Sequence, residues 1–324
     1  MKILITSKSF GRYAPEAIQF LVENGFEVTR GSKTTMTTEE IAKEVPGFDA
    51  LIVGNDTIDE NVIEAATDLK LIYMNGTGLD GIDVDYATKK GILVANAPGA
   101  NRNAVAELAV GLMLVSARAI DRHIDLLKQG RWERSAGVEI SGKTIGFLGL
   151  GNIGKRIVEL LAGFGIQAVA YDPQPDEVWA SSHAVRFTKK IEDIFAQADF
   201  LVLALPCNDQ TRNIVNRERL GLMKPTSRII NTARGGLIDE AALCEAIRTS
   251  KIAGAALDAF EEEPLPGSSP LRMPEITLTP HMAATSIETA ANMSWIVARN
   301  IVDILKNGQM QSAVNKDRIV TAVR

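Results

Sequence analysis

The run GFLGLGNIGKRIVELL at residues 146–161, followed by AVAYDP at 168–173, constrains this chain more than any other stretch. A buried strand (Thr144–Leu148) feeds a G-x-G-x-x-G turn of Gly149, Gly151 and Gly154. The turn opens an amphipathic helix with Ile153, Ile157, Leu160, Leu161 and Phe164 on one stripe. The first glycine permits the tight turn and the second lets a pyrophosphate approach the backbone. The third lets helix and strand pack closely, and the helix N-terminus offers amide donors and the positive end of a dipole. Asp172, 18 positions beyond Gly154, ends the next strand, where a carboxylate can accept from ribose hydroxyls. The plain alternative is a structural turn, with Asp172 a solvated residue before Pro173.

Around this unit, short apolar runs alternate with helical stretches along the chain, the signature of doubly wound parallel sheets. Strands are predicted at Ile3–Thr6, Phe26–Thr29, Ala50–Val53, Leu69–Tyr73 and Ile92–Ala95, with helices such as Pro15–Asn24 and Ile58–Ala65 between them. A long apolar stretch, Ala104–Leu127, reads as one helix ending at Gly130. A second series follows, with strands at Thr144–Leu148, Ala168–Tyr171, Phe200–Leu205, Arg228–Thr232, Ala253–Leu257 and Ile276–Thr279. A last helix is predicted over Ile287–Lys306 with Ala290, Met293, Val297, Ile301 and Ile304 on one face. At 324 residues, two domains are expected. The net charge of -5 argues against a nucleic-acid partner, since no basic excess is available for phosphates. No apolar run has the ~18 residues that span a bilayer, and the opening MKILITSKSF reads as a strand, not a leader. With only Cys207 and Cys244, no disulfide framework or four-cysteine metal site is expected, and the cytoplasm is the default compartment.

A second triplet, Gly76, Gly78 and Gly81 in NGTGLDGID, lacks a terminal acid: its following strand ends at Asn96. It reads equally as a cradle of backbone amides for a small anion or as a turn using glycine for positive φ. For chemistry the inventory is short. Of the three histidines, His123 lies inside the long helix and His183 in a Ser-Ser-His-Ala connection with no evident partner. His281 follows the strand ITLTP directly, and Arg234 and the acidic run Glu261–Glu263 also lie just past strand carboxyl ends, where ligands bind in such sheets. Each has a plain alternative: a helix-end contact for Arg234, a solvated charge run, a loop histidine. Their coincidence is what points to convergence over a nicotinamide.

The runs NGTGLDGIDVDYATKKGILVANAPGANRNAVAEL, LGLGNIG, INTARGGLIDEAAL, AALDAFEEEP and TPHMAATS resemble the D-isomer-specific 2-hydroxyacid dehydrogenases, in particular the phosphoglycerate dehydrogenase branch, over roughly residues 1–307. The resemblance implies a Rossmann nucleotide domain (98–286) inserted into a discontinuous flavodoxin-like catalytic domain (1–97 and 287–324), with NAD as cofactor, a small 2-hydroxy or 2-oxo acid as substrate and a homodimer built on the long helix. It implies that Arg234 pairs with the substrate carboxylate and polarises the 2-oxo group, that His281 exchanges a proton with that oxygen, and that Glu263 holds the imidazole. Amides at Asn75, Gly76, Thr77 and Gly78 would bind the carboxylate. Asn152, Ile153, Asp172, Leu205, Pro206, Thr232, Asp258 and Thr77 would line the cofactor site with the glycine turn.

Three departures qualify the substrate. Arginines that the branch often carries after the third strand and before the GTG loop are replaced by Gly54 and the Met74–Asn75 pair. Ala283 stands where the motif usually has glycine, and little chain follows the last helix to form a serine-sensing domain. 3-Phosphoglycerate and hydroxypyruvate-like acids head the expected substrates. A nucleotide-sensing scaffold, like the family's corepressors, is the competing class.

Overall fold

The computed structural model describes residues 1–322. The chain divides into two compact units: Met1–Asn101 with a return segment beginning at Thr285, and Arg102–Ala284. The first runs β1 (Lys2–Ile5), α1 (Glu16–Glu23), β2 (Glu27–Arg30), α2 (Thr38–Glu44), β3 (Ala50–Val53), α3 (Glu60–Ala65), β4 (Leu71–Met74), α4 (Val84–Lys89) and β5 (Leu93–Ala95). Its sheet is parallel throughout with order β2-β1-β3-β4-β5, the flavodoxin-like arrangement. Successive strand residues bury opposite ways, so both faces need cover. Ile3, Ile5, Ile52 and Tyr73 pack with α1 and the return helix, while Leu4, Leu51, Val53 and Ile72 pack with the helices of the other face. Local caps set the helix starts: Thr37 and Glu40 form a reciprocal capping box on α2, and Asp59 caps α3.

The second unit begins with α5 (Arg102–Arg118) and α6 (Ile120–Lys128), where the apolar pattern predicts one long helix. The break falls at Ala119, whose φ of 47° is left-handed, and the two helices meet at 65°. The cause is tertiary. The Ala117 carbonyl accepts from the Val138 N–H at 2.9 Å, and a Cβ on Gly137 would lie 2.8 Å from Arg118 Cα, so the 137–138 segment closes over the end of α5. Then follow β6 (Thr144–Leu148), α7 (Asn152–Leu161), β7 (Gln167–Tyr171), α8 (Glu177–Ser182), β8 (Val185–Phe187), α9 (Ile191–Gln197), β9 (Phe200–Leu203), α10 (Arg217–Leu220), β10 (Arg228–Asn231), α11 (Glu240–Arg248), β11 (Gly254–Leu257) and β12 (Ile276–Leu278). The order β12-β11-β10-β9-β6-β7-β8, again parallel, is the Rossmann order with an added strand. β8 is absent from the predicted strands: it is a three-residue edge strand in which only Val185 is buried. One sheet face is covered by α5, α7 and α8, the other by α9, α10 and α11.

The return segment holds α12 (Ile287–Asn307) and α13 (Lys316–Ala322). α12 starts where the Ser286 side chain accepts from the Thr289 N–H and stops at left-handed Gly308. Its predicted stripe is buried at Met293, Val297, Ile301 and Ile304 and half-buried at Ala290. Beyond it the chain closes the β5 edge: Val314 N–H donates to the Val94 carbonyl at 2.8 Å, and the buried Asn315 amide accepts from Val94 N–H at 2.9 Å and donates to the Ile92 carbonyl at 2.9 Å. This satisfies an edge that would otherwise be open to pairing. Asn315→Ala strands both backbone groups, and we expect a loss of roughly 2–4 kcal/mol. Denaturant unfolding checks this; an unchanged midpoint would assign the edge closure to Val314 alone.

Candidate active site

The glycine turn fits its proposed use at every position. Gly149 has φ 83°, and a Cβ there would sit 2.5 Å from the Ala204 carbonyl oxygen, so β9 approaches too closely for a side chain. Around Gly151 a Cβ would meet nothing within 4 Å, which leaves open space over the backbone. Gly154 lies against the Gly149 carbonyl, 3.0 Å from a built Cβ. Gly151 caps α7 without any side-chain bond, so the first amides of the helix stay available to an anion. Asn152 is exposed and Ile153 half-buried in that first turn. β6 and β9 are neighbours whose crossovers leave in opposite directions, so the turn and the residues after β9, half-buried Leu205 and exposed Pro206, flank the topological switch point.

Asp172 does more than end β7. Its Oδ2 accepts from the Leu150 N–H of the glycine turn at 2.8 Å and its Oδ1 from the Gln174 N–H at 2.9 Å. One lone pair remains on each oxygen for ribose hydroxyls. The donor set and the open cradle suit a dinucleotide.

Arg234, Asp258 and His281 follow β10, β11 and β12, three adjacent parallel strands, and so stand at one end of one sheet. The buried Asn231 sets the first turn: its amide donates to the Arg234 carbonyl at 2.8 Å and accepts from the Ala233 N–H at 3.0 Å, with half-buried Thr232 between. The half-buried Arg234 guanidinium donates to the Ala233 carbonyl. Asp258, 1% exposed, binds the histidine loop: Oδ1 accepts from Thr279 Oγ1 at 2.6 Å and Met282 N–H at 2.9 Å, and Oδ2 from Ala283 N–H at 2.8 Å. This carboxylate, expected to line the cofactor site, is held by one side-chain and two backbone donors of the histidine loop. His281, at φ 48°, takes a left-handed conformation inside that grip. Its Nδ1 lies 2.6 Å from Glu263 Oε2, and Glu263 Oε1 accepts from Phe260 N–H at 2.9 Å. Nδ1 therefore carries the hydrogen and Nε2 is the ring atom left for proton exchange.

Sequence reasoning misses two contributors on one segment. A Cβ on Gly235 would lie 1.8 Å from the Phe260 carbonyl carbon, so the backbone after Arg234 packs directly under the acidic loop. At the start of α11, Glu240 Oε1 accepts from Glu261 N–H at 2.7 Å. In the motif Glu240 resembles an ordinary first-turn helix acid; only the pairing across 21 positions reveals its use.

In the first unit, Asn75 follows β4 and its amide donates to Ser7 Oγ and Ser9 Oγ, both at 3.0 Å. Gly76 has no positive φ; a Cβ there would press on Met74 Sδ at 3.2 Å, so of the two readings of this turn the positive-φ one is corrected at this position. Asn96 and Asn101 hold it by donating to Thr77, through its carbonyl at 2.7 Å and its hydroxyl at 3.4 Å. Gly78 is half-buried in the same loop. The other histidines are engaged elsewhere. His123 binds the Ala119 carbonyl and Ser135, and His183, expected without a partner, stacks on Trp179 with centroids 4.0 Å apart. Among the described residues no group of three His, Cys, Asp or Glu side chains could hold a metal ion.

Burial, together with the charges of Glu261 and Glu263, raises the Glu240 pKa above its ordinary 4.5. A raised carboxyl pKa in the folded state means the charged form is penalised there. The penalty is absent below pH about 4.5, grows as pH rises through the shifted value, and is complete above it. Glu240→Gln keeps an acceptor and does not titrate, so its melting temperature should rise relative to the parent between pH about 4 and 7. Parallel melting curves across that range would contradict the shift.

The geometry has counterparts. Residues 110–283 match the family model described as D-isomer specific 2-hydroxyacid dehydrogenase, NAD binding domain. The chain is 41% identical over 280 residues to the hydroxypyruvate reductase of Thermotoga maritima, covering 84% of this chain and 89% of that one. It is 41% identical over 323 residues to the D-3-phosphoglycerate dehydrogenase of Methanocaldococcus jannaschii, covering 98% of this chain but only 60% of the relative's length. The crystal structure of the TT0316 protein from Thermus thermophilus superposes with a TM-score of 0.88 at 31% identity, covering 97% of this chain and all of that one. With the family model matched over more than half of its length and 41% identity to a relative covered to 89%, the chain belongs to the D-isomer specific 2-hydroxyacid dehydrogenase family.

Proposed function

We propose that the protein interconverts a small 2-hydroxy acid and its 2-oxo acid with NAD. The observation that carries this reading is the His281–Glu263 pair at 2.6 Å, set at the same sheet end as Arg234 in a unit built to bind a dinucleotide. When bound, the nicotinamide supplies the hydride to C2 or accepts it from C2. The chain's own groups do the rest. The Arg234 fork pairs with the substrate carboxylate and polarises the C2 oxygen. His281 Nε2 gives that oxygen a proton in reduction and takes it back in oxidation, while Glu263 holds Nδ1–H and balances the ring's positive charge. The amides of Asn75–Gly78 are assigned to the carboxylate, and Leu205, Pro206, Thr232 and Thr77 to the cofactor, on the same family footing.

Relatives carry the names D-3-phosphoglycerate dehydrogenase, hydroxypyruvate reductase and glyoxylate reductase. Between these, the first unit favours an unphosphorylated acid. Gly54 and Asn75 follow β3 and β4, and the Asp56 carboxylate accepts from Gly54 N–H at 2.8 Å and Thr6 Oγ1 at 2.7 Å, a poor setting for a phosphate. We assign a homodimer as the working form. α6 has no buried residue, and Ile120, Ile124 and Leu127 expose an apolar stripe, with Trp132 just beyond the helix 82% exposed. No single described helix is long and apolar enough to cross a membrane. The free thiols of Cys207 and Cys244 suit the cytoplasm.

NAD should be preferred strongly over NADP, because Asp172 repels a 2′-phosphate and Pro173–Gln174–Pro175 supplies no cation. Catalytic efficiencies with the two cofactors test this, and equality would remove Asp172 from the ribose site. Arg234→Lys keeps charge but loses the bidentate fork. Turnover of a 2-oxo acid panel with NADH should fall by roughly 100-fold or more while NADH affinity stays within a few-fold. Near-normal turnover would take Arg234 out of the site, and a parent protein that binds NADH yet turns over no 2-oxo acid would sink the enzymatic reading.

A further inference from the structure

We propose that Glu240 is a positioning residue for the reaction: by holding the Glu261 N–H it fixes the loop that presents Glu263 to His281 and keeps that loop in register with the Arg234 turn. This rests on the roles proposed above for Arg234, Glu263 and His281.

The loop from Phe260 to Glu263 carries three consecutive glutamates, all solvent-exposed. Such a run repels itself and would spread in water. Three contacts oppose this. Glu263 turns back onto the Phe260 N–H, Gly235 lets the Phe260 carbonyl sit against the backbone next to Arg234, and Glu240 reaches up to the Glu261 N–H at 2.7 Å. Gly235 and Glu240 both belong to the segment that leaves Arg234, through a short turn at Gly235–Leu237 and the Asp239 cap, into α11. Two of the three contacts thus tie the acid that holds the imidazole to the segment that carries the guanidinium.

Charge does not explain an acid at this position. Glu240 is half-buried and faces Glu261 and Glu263 across the contact, with the Cys244 thiol one turn along its own helix. Burial and these like charges both disfavour its ionised form. What the side chain gains there is one short bond to a backbone donor, and that bond needs an acceptor oxygen at glutamate's reach and no charge. A glutamine in its place would supply the same oxygen. Aspartate, one methylene shorter, keeps the charge and loses the reach.

The discriminating measurement is the tautomer of the neutral His281 ring, read in the cofactor-free protein by two-bond 1H–15N correlations. A ring tied to Glu263 keeps its hydrogen on Nδ1, whereas an untied ring populates both tautomers. The parent and Glu240→Gln should show the Nδ1–H form; Glu240→Ala and Glu240→Asp should shift toward the mixture. With NADH and a 2-oxo acid, turnover by the Ala and Asp variants should drop ~10-fold or more, since small misplacements of a catalytic group are costly, and Gln should stay within about twofold of the parent. NADH binding, followed by fluorescence, reports that each variant is folded. A folded Glu240→Ala or Glu240→Asp protein with the parent's tautomer overturns the proposal, as does a Gln variant as impaired as Ala. If Ala does not fold, Asp and Gln still decide it. If the parent turns over no 2-oxo acid, the functional reading fails while the tautomer measurement still stands or falls by itself.

Discussion

The arrangement at the carboxyl end of the second sheet depends on one buried carboxylate. Asp258 sits at the end of β11 at 1% exposure, and three donors from a single loop, Thr279 Oγ1, Met282 N–H and Ala283 N–H, converge on it. Between those donors His281 adopts φ 48°, a conformation that costs a non-glycine residue of order 1–3 kcal/mol. Three hydrogen bonds to the one carboxylate hold the loop in that conformation. The tight turn, in which His281 N–H also donates to the Thr279 carbonyl at 3.0 Å, brings the imidazole to Glu263 instead of letting it trail from β12. A freely hinged histidine there would have neither a fixed tautomer nor a fixed direction for Nε2.

The neighbouring turns follow the same logic with different chemistry. Asn231 folds the chain back on itself after β10 through both ends of its amide, which aims Arg234. Gly235 then brings backbone onto backbone under Phe260. In each case a short polar or absent side chain at or shortly after a strand end braces the loops around it. Of the side chains proposed to meet substrate, Arg234 stands three positions past the end of β10 and His281 three past the end of β12. Sites are most reliably held when their supports belong to regular elements, and here the supports are the last residue of β10, the residue just after β11 and the first residue of α11.

This division explains what could be read from the sequence. Strands of a parallel sheet are buried on both faces, so β3, β4 and β9 appear as uninterrupted apolar runs, and β1 and β6 as apolar runs after one polar residue. β8 offers only Val185 to the core and leaves no such trace. The Ala119 break is equally silent: alanine is the strongest helix former, and the contact that ends α5 comes from Gly137 and Val138, well down the chain. Arg234, His281 and the acidic run Glu261–Glu263 announce themselves by type and by place after strands, and the family resemblance singles out Glu263 within that run. Asn231, Glu240 and the backbone role of Asp258 do not, because each bonds main-chain groups whose position only the folded chain defines. The bland appearance of Glu240 as a helix-opening acid is the clearest instance.

Asp172 shows how far one residue can join two functions that the motif treats as separate. The glycine turn and the acid after β7 are read as independent parts of a fingerprint, one for the pyrophosphate and one for the ribose. Here Asp172 Oδ2 accepts the Leu150 N–H at 2.8 Å, so the acid also pins the turn between Gly149 and Gly151. Leu150 is 4% exposed, and without Asp172 its amide would lose its partner next to the place where the phosphates are expected. A glycine or alanine at 172 would therefore release the turn as well as remove the carboxylate proposed for the ribose. On the proposed ribose role of Asp172, cofactor preference would be a property of the turn and the acid together, and a residue that accepts NADP would also have to replace the bond to Leu150.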